Sequence, residues 1–323
     1  MTNPCLHSFV PEFVARDYLS GEDFAVHRCE DCDLLATQVE RAPVNEQAFY
    51  PDEYYGEEQR YSGFLAAFLN GLTRFRLRVL SGHLDGTGRV LDVGCGQGGL
   101  LDYLRARGFT TTGIEVSDAA AFHARKVLGL DILVGEESIA EVPTASQDLV
   151  VLWHVLEHVS DPAALLQHIR RVMSREGVLL LGVPNAGSIE AKACRAGWFH
   201  LDVPRHLLHF DRQNLEQLLK ANGLKIERQS YFVPEYDFFS FIQSLQNKLG
   251  LPQNRLYLLI RRPSLGSIKK ESGEDFHRSS WVQDGLVLIS FPVLLLLSFL
   301  WVPIAALAQQ GSSMTFLVRQ DVE

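Results

Sequence analysis

The sequence predicts an α/β fold with a doubly wound, mostly parallel sheet, and three observations support this fold class. A short apolar strand runs directly into a glycine-rich turn in VLDVGCGQGGL (90–100). From residue 89 to residue 232, segments with strand character alternate with segments that have helical periodicity, which is typical of parallel sheets covered on both faces. At 323 residues, the chain can bury such a core and carry an appendage on either side of it.

The elements of this core follow one another at short intervals. We predict strands at 89–94, 111–115, 131–134, 148–153, 177–183 and 224–232, and helices at 99–107, 118–128, 161–173 and 212–221. Pro162 suits the first turn of a helix that begins after Asp161. Asp211 is a suitable N-cap for the last of these helices, and Gly223 is a suitable stop. A further helix, at 64–83, is predicted to pack against the sheet.

The turn after the first strand predicts a site for a nucleotide-type ligand. Its glycines allow positive φ and a close approach of the ligand, and the next helix opens near Gly99 with free N–H groups. The same letters satisfy the G-x-G-x-x-G pattern, so the turn alone does not separate a dinucleotide from S-adenosylmethionine. Asp92, just before the turn, favours the second ligand, which carries a positive ammonium group and no phosphate. Glu115, about 20 residues beyond the turn, can hold ribose hydroxyls.

These pieces together resemble the class I S-adenosylmethionine-dependent methyltransferases, in the branch similar to ubiquinone-biosynthesis methyltransferases. The matching pieces, within about residues 88–232, are LDVGCGQG, GIEVS, the strand QDLVV, HVLEHVSDP and the ending PRHLLHF of the run 184–210. The resemblance implies a Rossmann-like sheet of seven strands with an antiparallel last strand, and S-adenosyl-L-methionine as cofactor. The predicted cofactor-binding residues are Asp92, Gly94, Cys95, Gly96, Gly98, Glu115, Val116, Glu136 and His154.

Histidines on loops at the expected carboxyl edge of the sheet are candidates for acid–base chemistry. They are His154, His158, His206 and His209. An oxygen acceptor has to lose a proton, and histidine is the usual base near neutral pH. His154 and His158 are four residues apart around Glu157, so a helical turn would put them on one face. The resemblance implies that His154 lines the cofactor pocket, whereas Glu157, His158 and His206 border the acceptor.

The predicted catalytic residues are therefore Glu157, His158 and His206. The family also includes C-methylating members, and proximity alone can drive methyl transfer. The acceptor atom, oxygen or carbon, and the need for a base therefore stay open.

The first 45 residues resemble a small zinc ribbon. Cys29 and Cys32 form a C-x-x-C pair, and Cys5 and His7 precede them, so these four residues are the predicted zinc ligands, with His27 as a further candidate. The resemblance implies a second C-x-x-C pair, but Ser8 stands three residues after Cys5. A ribbon-shaped segment without metal is the alternative.

The run 286–308 is almost wholly apolar and long enough to span a bilayer core of about 30 Å. The last strand of the resembled fold, however, is found only beyond this run, at MTFLVR (314–319), and it has to reach the same sheet. Residues 233–313 are therefore predicted to be an insertion that returns to the side it left. We expect a re-entrant or surface-lying helical hairpin, broken at Pro292 and Pro303.

The flanks of this run agree with a membrane surface. An amphipathic helix is predicted at 238–249, and the connector 252–280 carries six Lys or Arg residues against three acids. The basic residues are Arg255, Arg261, Arg262, Lys269, Lys270 and Arg278. Trp281 and Trp301 are placed as interfacial anchors would be. A homodimer interface or a lid over the site is the alternative.

Composition limits the function further. The formal net charge of −9 disfavours a nucleic-acid partner, and the N-terminal residues do not have the pattern of a signal peptide. We predict methyl transfer to a membrane-associated envelope precursor, lipid or lipid-linked saccharide, by an enzyme on the inner, cytoplasmic face of the membrane. A soluble sugar nucleotide or small metabolite is the alternative acceptor, and an inactive binding or scaffold protein is the non-enzymatic alternative. The predicted division is 1–45 (ribbon), 46–232 (methyltransferase core), 233–313 (insertion) and 314–323 (last strand).

Overall fold

The computed structural model describes residues 8–39, 87–260 and 281–321, and it places seven strands of these ranges in one sheet. The strands are β1 (Phe9–Arg16), β2 (Asp23–Cys29), β3 (Leu35–Thr37), β4 (Arg89–Val93), β5 (Thr110–Glu115), β6 (Asp131–Val134), β7 (Gln147–Trp153), β8 (Met173–Pro184), β9 (Leu208–His209), β10 (Leu224–Ser230) and β11 (Ser313–Gln320). The helices are α1 (Gly99–Arg105), α2 (Asp118–Lys126), α3 (Pro162–Val172), α4 (Ile189–Cys194), α5 (Arg212–Ala221), α6 (Pro234–Lys248), α7 (Arg255–Ile260) and α8 (Trp281–Leu307).

The large sheet has the order β10-β11-β8-β7-β4-β5-β6. The pairings among β4, β5, β6, β7 and β8 are parallel, whereas β11 runs antiparallel to both of its neighbours. Within β11, Met314 pairs with Val183 of β8, and Val318 pairs with Ile226 of β10. The predicted fold class and the predicted antiparallel last strand are confirmed.

Helices cover both faces of this sheet, because successive strand residues point to opposite sides. In β7, Leu149 and Val151 pack with the apolar side chains of α1 and α2. Val150 and Leu152 pack with those of α3 and α5 on the other face. The sheet is therefore doubly wound, and the carboxyl ends of its parallel strands remain available at one edge.

The helices begin where the sequence predicts capping residues. The Asp161 side chain accepts a hydrogen bond from the Ala164 N–H, with Pro162 in the first turn of α3. Asp211 and Asn214 form a reciprocal capping box at the start of α5. The predicted core elements are present, although β8 is longer than predicted and β10 ends at Ser230. The predicted helix at 64–83 lies outside the described residues.

A second, smaller sheet has the order β1-β2-β3-β9 and is antiparallel throughout. Its first three strands come from the N-terminal segment, but β9 comes from the predicted methyltransferase core. Leu35 pairs with His209, and Ala36 pairs with Leu208. The N-terminal segment is thus joined to the loop that carries the predicted acceptor-site histidines.

The insertion before β11 differs from the prediction in one respect. The apolar run forms a single helix, α8, with Pro292 and Pro303 inside it, so the predicted break at the prolines is wrong. Helix α6 packs along it: Phe238 contacts Phe299, and Gln246 donates to the Val287 carbonyl. The order of these contacts makes the two helices antiparallel. The hairpin of the insertion is therefore the pair α6 and α8.

The predicted amphipathic helix is present as α6, but its polar side is buried rather than exposed. Ser240, Gln243 and Ser244 have no solvent-exposed surface. Ser240 and Ser244 both donate to the Glu190 carboxylate of α4, at 2.5 and 2.8 Å. Helix α6 is therefore held to α4 by polar contacts, and to α8 by apolar contacts and the hydrogen bond from Gln246.

Candidate functional site

The glycine-rich turn after β4 needs glycine for two different reasons. Gly94, Gly96 and Gly98 adopt φ values of 74°, 56° and 83°, which L side chains rarely tolerate. A Cβ atom on Gly94 would also lie 2.4 Å from Val155 Cγ2, so this glycine lets the loop after β7 pack against the turn. Nothing lies within 4 Å of the Cβ positions of Gly96 and Gly99. The turn therefore has a packed side and an open side.

Glu115 at the end of β5 ties the turn in place. Its two carboxylate oxygens accept hydrogen bonds from the Gly96 N–H at 2.7 Å and the Ser117 N–H at 2.8 Å. Burial raises the pKa of Glu115, and these two backbone N–H groups oppose the rise. A carboxylate has lone pairs beyond these two bonds, so Glu115 can still accept hydrogen bonds from ribose hydroxyls.

The other predicted cofactor-binding residues lie at the same edge of the sheet. Asp92 is buried near the end of β4, and Cys95 lies in the turn. Val116 is exposed directly after Glu115. The Gly135 N–H donates to the Glu115 carbonyl, which places Glu136 beside the end of β5. A buried acid, an open glycine turn and a strand-end acid suit the ammonium group, the main chain and the ribose of S-adenosylmethionine.

His154 lies in the predicted site, but in a different setting from the one expected. It has a φ of 53° and precedes the 3₁₀ segment Leu156–His158, so the predicted helical turn that would align it with His158 is wrong. Its Nδ1 atom lies 3.1 Å from Glu157 Oε1, and its ring centroid lies 4.3 Å from that of Tyr236. His154 therefore belongs to a group of rings around Glu157.

Glu157 is the buried centre of this group, with only 1% of its surface exposed. Its Oε1 atom contacts His154, whereas Oε2 has no hydrogen-bond partner within the described ranges. Burial raises the pKa of Glu157, while the nearby His158 and His206 oppose this rise. A buried carboxylate oxygen without a partner is costly, so this geometry suits a site that is completed by a ligand.

The two predicted bases, His158 and His206, are oriented in the same way. His158 Nδ1 lies 2.8 Å from the Arg205 carbonyl, and His206 Nδ1 lies 2.7 Å from the His200 carbonyl. A carbonyl only accepts hydrogen bonds, so both Nδ1 atoms carry the proton, and Nε2 of each neutral ring holds the lone pair. Burial lowers the pKa of each histidine to about 4, which keeps both neutral at pH 7.

The pair and Glu157 face one another. The two ring centroids are 4.6 Å apart, and His206 Nε2 lies 4.0 Å from Glu157 Oε1. The structure therefore brings together all three predicted catalytic residues. The two neutral Nε2 atoms beside a buried carboxylate can each take a proton from the molecule that receives the methyl group. One donor atom from each residue lies within 4.8 Å of the others, so the three could also share a cation.

Comparison with known proteins shows the family to which the chain belongs. A family profile described as a methyltransferase domain matches residues 64–229, a little over half of the chain. The chain belongs to this methyltransferase family. Its large sheet has the Rossmann-like strand order that the resemblance implies.

Curated relatives cover only part of this methyltransferase. A ubiquinone biosynthesis O-methyltransferase of Paracidovorax citrulli is 38% identical over 104 residues, which are 30% of this chain and 44% of the relative. The protein of the same description from Idiomarina loihiensis is 31% identical over 172 residues, or 49% and 70% of the two chains. This methyltransferase spans about half the length of the first curated relatives it matches.

Solved structures are similar at a lower level. A SAM-dependent methyltransferase from Archaeoglobus fulgidus has a TM-score of 0.47 at 16% identity, covering 80% of this chain and 100% of that one. A putative sarcosine dimethylglycine methyltransferase from Galdieria sulphuraria has a TM-score of 0.49 at 16% identity, covering 78% and 86%.

Three residues of the site were missed by sequence reasoning. His200 lies between the predicted elements, and its ring stacks on that of His154 at 6.1 Å. Its Nε2 atom is buried with no hydrogen-bond partner in the part of the chain that the structure describes. Tyr236, in the first turn of α6, contacts His154 from within the insertion. Arg205 is buried. The sequence indicates it only as a member of the P-R-H motif, without a role of its own. That motif was the available signal for Arg205, and the run GWFHLD that precedes it was the signal for His200.

The predicted zinc ligands fall partly outside the described ranges, since Cys5 and His7 precede residue 8. Cys29 ends β2, and Cys32 lies on the following turn. Both cysteines are buried in an apolar cluster that continues into the large sheet. Zinc binding by the N-terminal segment stays a prediction.

Loss of the Glu115 carboxylate should weaken cofactor binding. We expect Glu115→Ala to reduce the affinity for S-adenosylhomocysteine, measured by calorimetry, by about 1–3 kcal/mol, the usual value of hydrogen bonds to a charged group. Glu115→Gln should have a smaller effect, because the amide oxygen keeps an acceptor. Glu176→Ala, an exposed glutamate in β8, is the matched control. Equal affinities for Glu115→Ala and the wild type would remove Glu115 from the cofactor site.

Proposed function

We propose that this methyltransferase methylates a hydroxyl group of an acceptor that is held at a membrane surface, such as a lipid, a lipid-linked saccharide or another envelope precursor. The observation that carries the proposal is the apolar outer face of α8, whose partner helix α6 delivers Tyr236 to the histidine group. The relatives described as O-methyltransferases support an oxygen acceptor over a carbon acceptor. The enzyme would act from the cytoplasmic face of the membrane.

Helix α8 presents an apolar surface that water-soluble proteins rarely leave open. It has 27 residues, and among the described helices it is the one long and apolar enough to cross a membrane by length and composition alone. Its outward side chains are large and exposed, as Ile289 at 72%, Leu296 at 72% and Leu300 at 66% illustrate. A lipid leaflet is the environment in which such a face is stable.

The contacts of α8 favour an orientation along the membrane rather than across it. Near its start, Asp284 forms a two-point ion pair with Arg255 of α7, at 2.6 and 2.9 Å. Its last residue is six positions before β11, which is fixed inside the sheet. Both ends of α8 are therefore attached to the core, and its inner face packs on α6. A helix held in this way can enter one leaflet with its outer face only.

The predicted basic surface beside α8 is wrong for one residue. Arg255, predicted to be part of a basic surface, is buried against Asp284 and does not face a leaflet. The other basic residues of the predicted connector lie outside the described ranges. Trp281 is exposed at the start of α8, as an interfacial anchor requires, whereas Trp301 stacks on Phe241 of α6.

The buried group at the sheet edge supplies the acid–base part of the proposal. S-adenosylmethionine supplies the methyl group on a positively charged sulfur. The turn 94–99 and Glu115 would hold this donor, so that a fixed contact with the acceptor would replace an encounter in solution. His206 Nε2 takes the proton of the acceptor hydroxyl, and Glu157 stabilises the imidazolium that results. The hydrogen bond from His206 Nδ1 to the His200 carbonyl keeps Nε2, the nitrogen that takes the proton, directed at the site.

The membrane contact can be tested with vesicles of phosphatidylglycerol and phosphatidylethanolamine. We expect the wild type to sediment with them and the variant Ile289→Glu/Leu296→Glu/Leu300→Glu to lose at least 90% of this binding, because three carboxylates on the outer face oppose insertion. The matched control, Val14→Glu/Phe122→Glu/Val127→Glu, changes three exposed apolar residues elsewhere and should sediment like the wild type.

Two outcomes would contradict the proposal. A wild-type protein that is a soluble dimer without detergent, and that becomes monomeric in the α8 variant, would make this face a dimer interface. Labelled methyl groups from S-adenosylmethionine that appear only in the aqueous phase of a native membrane extract would favour a soluble acceptor instead.

A further inference from the structure

The N-terminal segment reaches into the histidine site through Thr37, the last residue of β3. The Thr37 N–H donates to the Leu207 carbonyl at 2.9 Å, which continues the pairing of β3 with β9. Its side chain is buried beneath the loop that carries His206 and His209. Thr37, which is 169 positions away from His206 in the sequence, therefore supports the main chain of this predicted base.

The hydroxyl group of Thr37 has two partners on this loop. Its oxygen lies 2.7 Å from the His206 carbonyl, to which it donates its proton. It also lies 2.9 Å from Nε2 of His209. A hydroxyl group has one proton, so with that proton given to His206 the second contact requires His209 to be the donor. Thr37 thus fixes the position of the His206 main chain and the protonation of His209 at Nε2.

The opposite side of the same loop is attached to the segment that carries Glu157. The Leu207 N–H donates to the Glu157 carbonyl at 2.8 Å, and the Arg205 carbonyl accepts from His158 Nδ1. The stretch 205–209 is therefore held between Thr37 on one side and residues 157–158 on the other. The distance from His206 Nε2 to Glu157 depends on both attachments.

A second contact from the N-terminal segment supports the beginning of this loop. The buried Arg205 guanidinium donates to Asp202 at 2.7 and 2.9 Å and to Asp17, just after β1, at 2.8 Å. Burial of Asp202 alone would raise its pKa, but the charge and hydrogen bonds of Arg205, together with the nearby His206 and His158, lower it. The segment 8–39 thus contributes one buried carboxylate and one buried hydroxyl to the support of the histidine loop.

We propose that Thr37 is a positioning residue for methyl transfer, which holds the His206 main chain and His209 so that His206 Nε2 stays directed at Glu157 and the acceptor. The proposal rests on the proposed role of His206 as the base. It assigns to the N-terminal segment an indirect part in catalysis, through the position of His206, which a merely attached ribbon would not have.

The test compares Thr37→Val, which keeps the shape and removes the hydroxyl, with Thr37→Ser, which keeps the hydroxyl. With labelled S-adenosylmethionine and a native membrane-lipid extract, we expect Thr37→Val to lower kcat by about 10- to 100-fold, the size of effect that a small misplacement of a reacting group produces. Thr37→Ser should stay within about twofold of the wild type. The affinity for S-adenosylhomocysteine should be unchanged in both. Thr110→Val, an exposed threonine at the start of β5, is the matched control.

A second measurement does not depend on turnover. Long-range ¹H–¹⁵N spectra of the histidine rings, with His209 assigned from the spectrum of His209→Gln, should show His209 protonated at Nε2 in the wild type and in Thr37→Ser. Thr37→Val should lose this preference. A wild-type His209 protonated only at Nδ1, or a Thr37→Ser enzyme as slow as Thr37→Val, would overturn the proposal. If His206→Ala keeps full turnover while the His209 signals behave as expected, the base assignment fails and the hydrogen-bond assignment of Thr37 stands.

Discussion

Replacing His206 by alanine should lower methyl-transfer turnover by about 10²–10⁴-fold, the contribution of a positioned general base. The affinity for S-adenosylhomocysteine should remain nearly unchanged, because His206 lies on the loop before β9 and not in the glycine turn. The structural reason is the fixed orientation of the ring: its Nδ1 proton is bonded to the His200 carbonyl, so Nε2 is the basic atom. The measurement is methyl incorporation into a native membrane-lipid extract, followed over time.

His158 and Glu157 allow the base to be assigned within the group. His158 has the same orientation as His206, so His158→Ala tests the alternative base. Glu157→Gln should lower turnover whichever histidine acts, because the imidazolium then loses its buried counter-charge. His168→Ala, an exposed histidine of α3, is the control. Turnover within a few-fold of the wild type for both His158→Ala and His206→Ala would mean that the enzyme works by holding donor and acceptor together.

The buried histidines should make the folded protein less stable when the pH falls from 6.5 towards 4. Burial lowers the pKa of His158 and His206 to about 4 and that of His200 and His209 to about 3, from an ordinary value of 6.5. Below pH 6.5 the unfolded chain therefore binds protons that the folded chain excludes, and the free energy of unfolding decreases with decreasing pH. At pH 5, each histidine costs on the order of 2 kcal/mol relative to pH 7. The buried carboxyl group of Glu190, whose pKa burial raises to about 7, gains stability over the same range and offsets part of the summed loss.

Urea unfolding at pH 7 and pH 5 measures this effect. In His209→Gln, the glutamine amide can still donate to Thr37, and one buried imidazole is removed. The loss of stability between the two pH values should therefore be smaller by about 2 kcal/mol than in the wild type. His168→Gln, at the exposed position on α3, should show the wild-type loss. An equal loss in all three proteins would mean that the buried histidines do not control acid unfolding.

The sheet was predictable from the sequence because its signals are local. Each strand is a short apolar run next to a turn, and Asp161 and Asp211 mark the starts of helices. These signals do not depend on distant parts of the chain. The antiparallel position of β11 followed from a topological requirement of the resembled fold, since MTFLVR was the only strand-like segment left. The glycine turn and Glu115 were visible because their spacing follows directly from one strand, one turn and the next strand.

The histidine site was only partly predictable, because its geometry depends on contacts between distant segments. The sequence could indicate Glu157, His158 and His206 as candidates, but not that backbone carbonyls at 200 and 205 orient both rings. The pairing of β3 with β9 joins residues far apart in the chain, and a two-residue strand has no detectable periodicity. For the same reason Thr37, His200 and Tyr236 were not found. The packing of α6 along α8 also joins distant segments, and the sequence around Pro292 and Pro303 gave no sign of a continuous helix there.

The position of β11 inside the sheet also sets the order of events during synthesis. β11 lies between β8 and β10 and pairs with both. Until β11 has been made, these two strands are therefore not joined to each other. The chain reaches β11 only after the whole of α8 has been translated. The apolar helix therefore leaves the ribosome before β11 can complete the sheet, at a stage when exposed apolar surface favours aggregation.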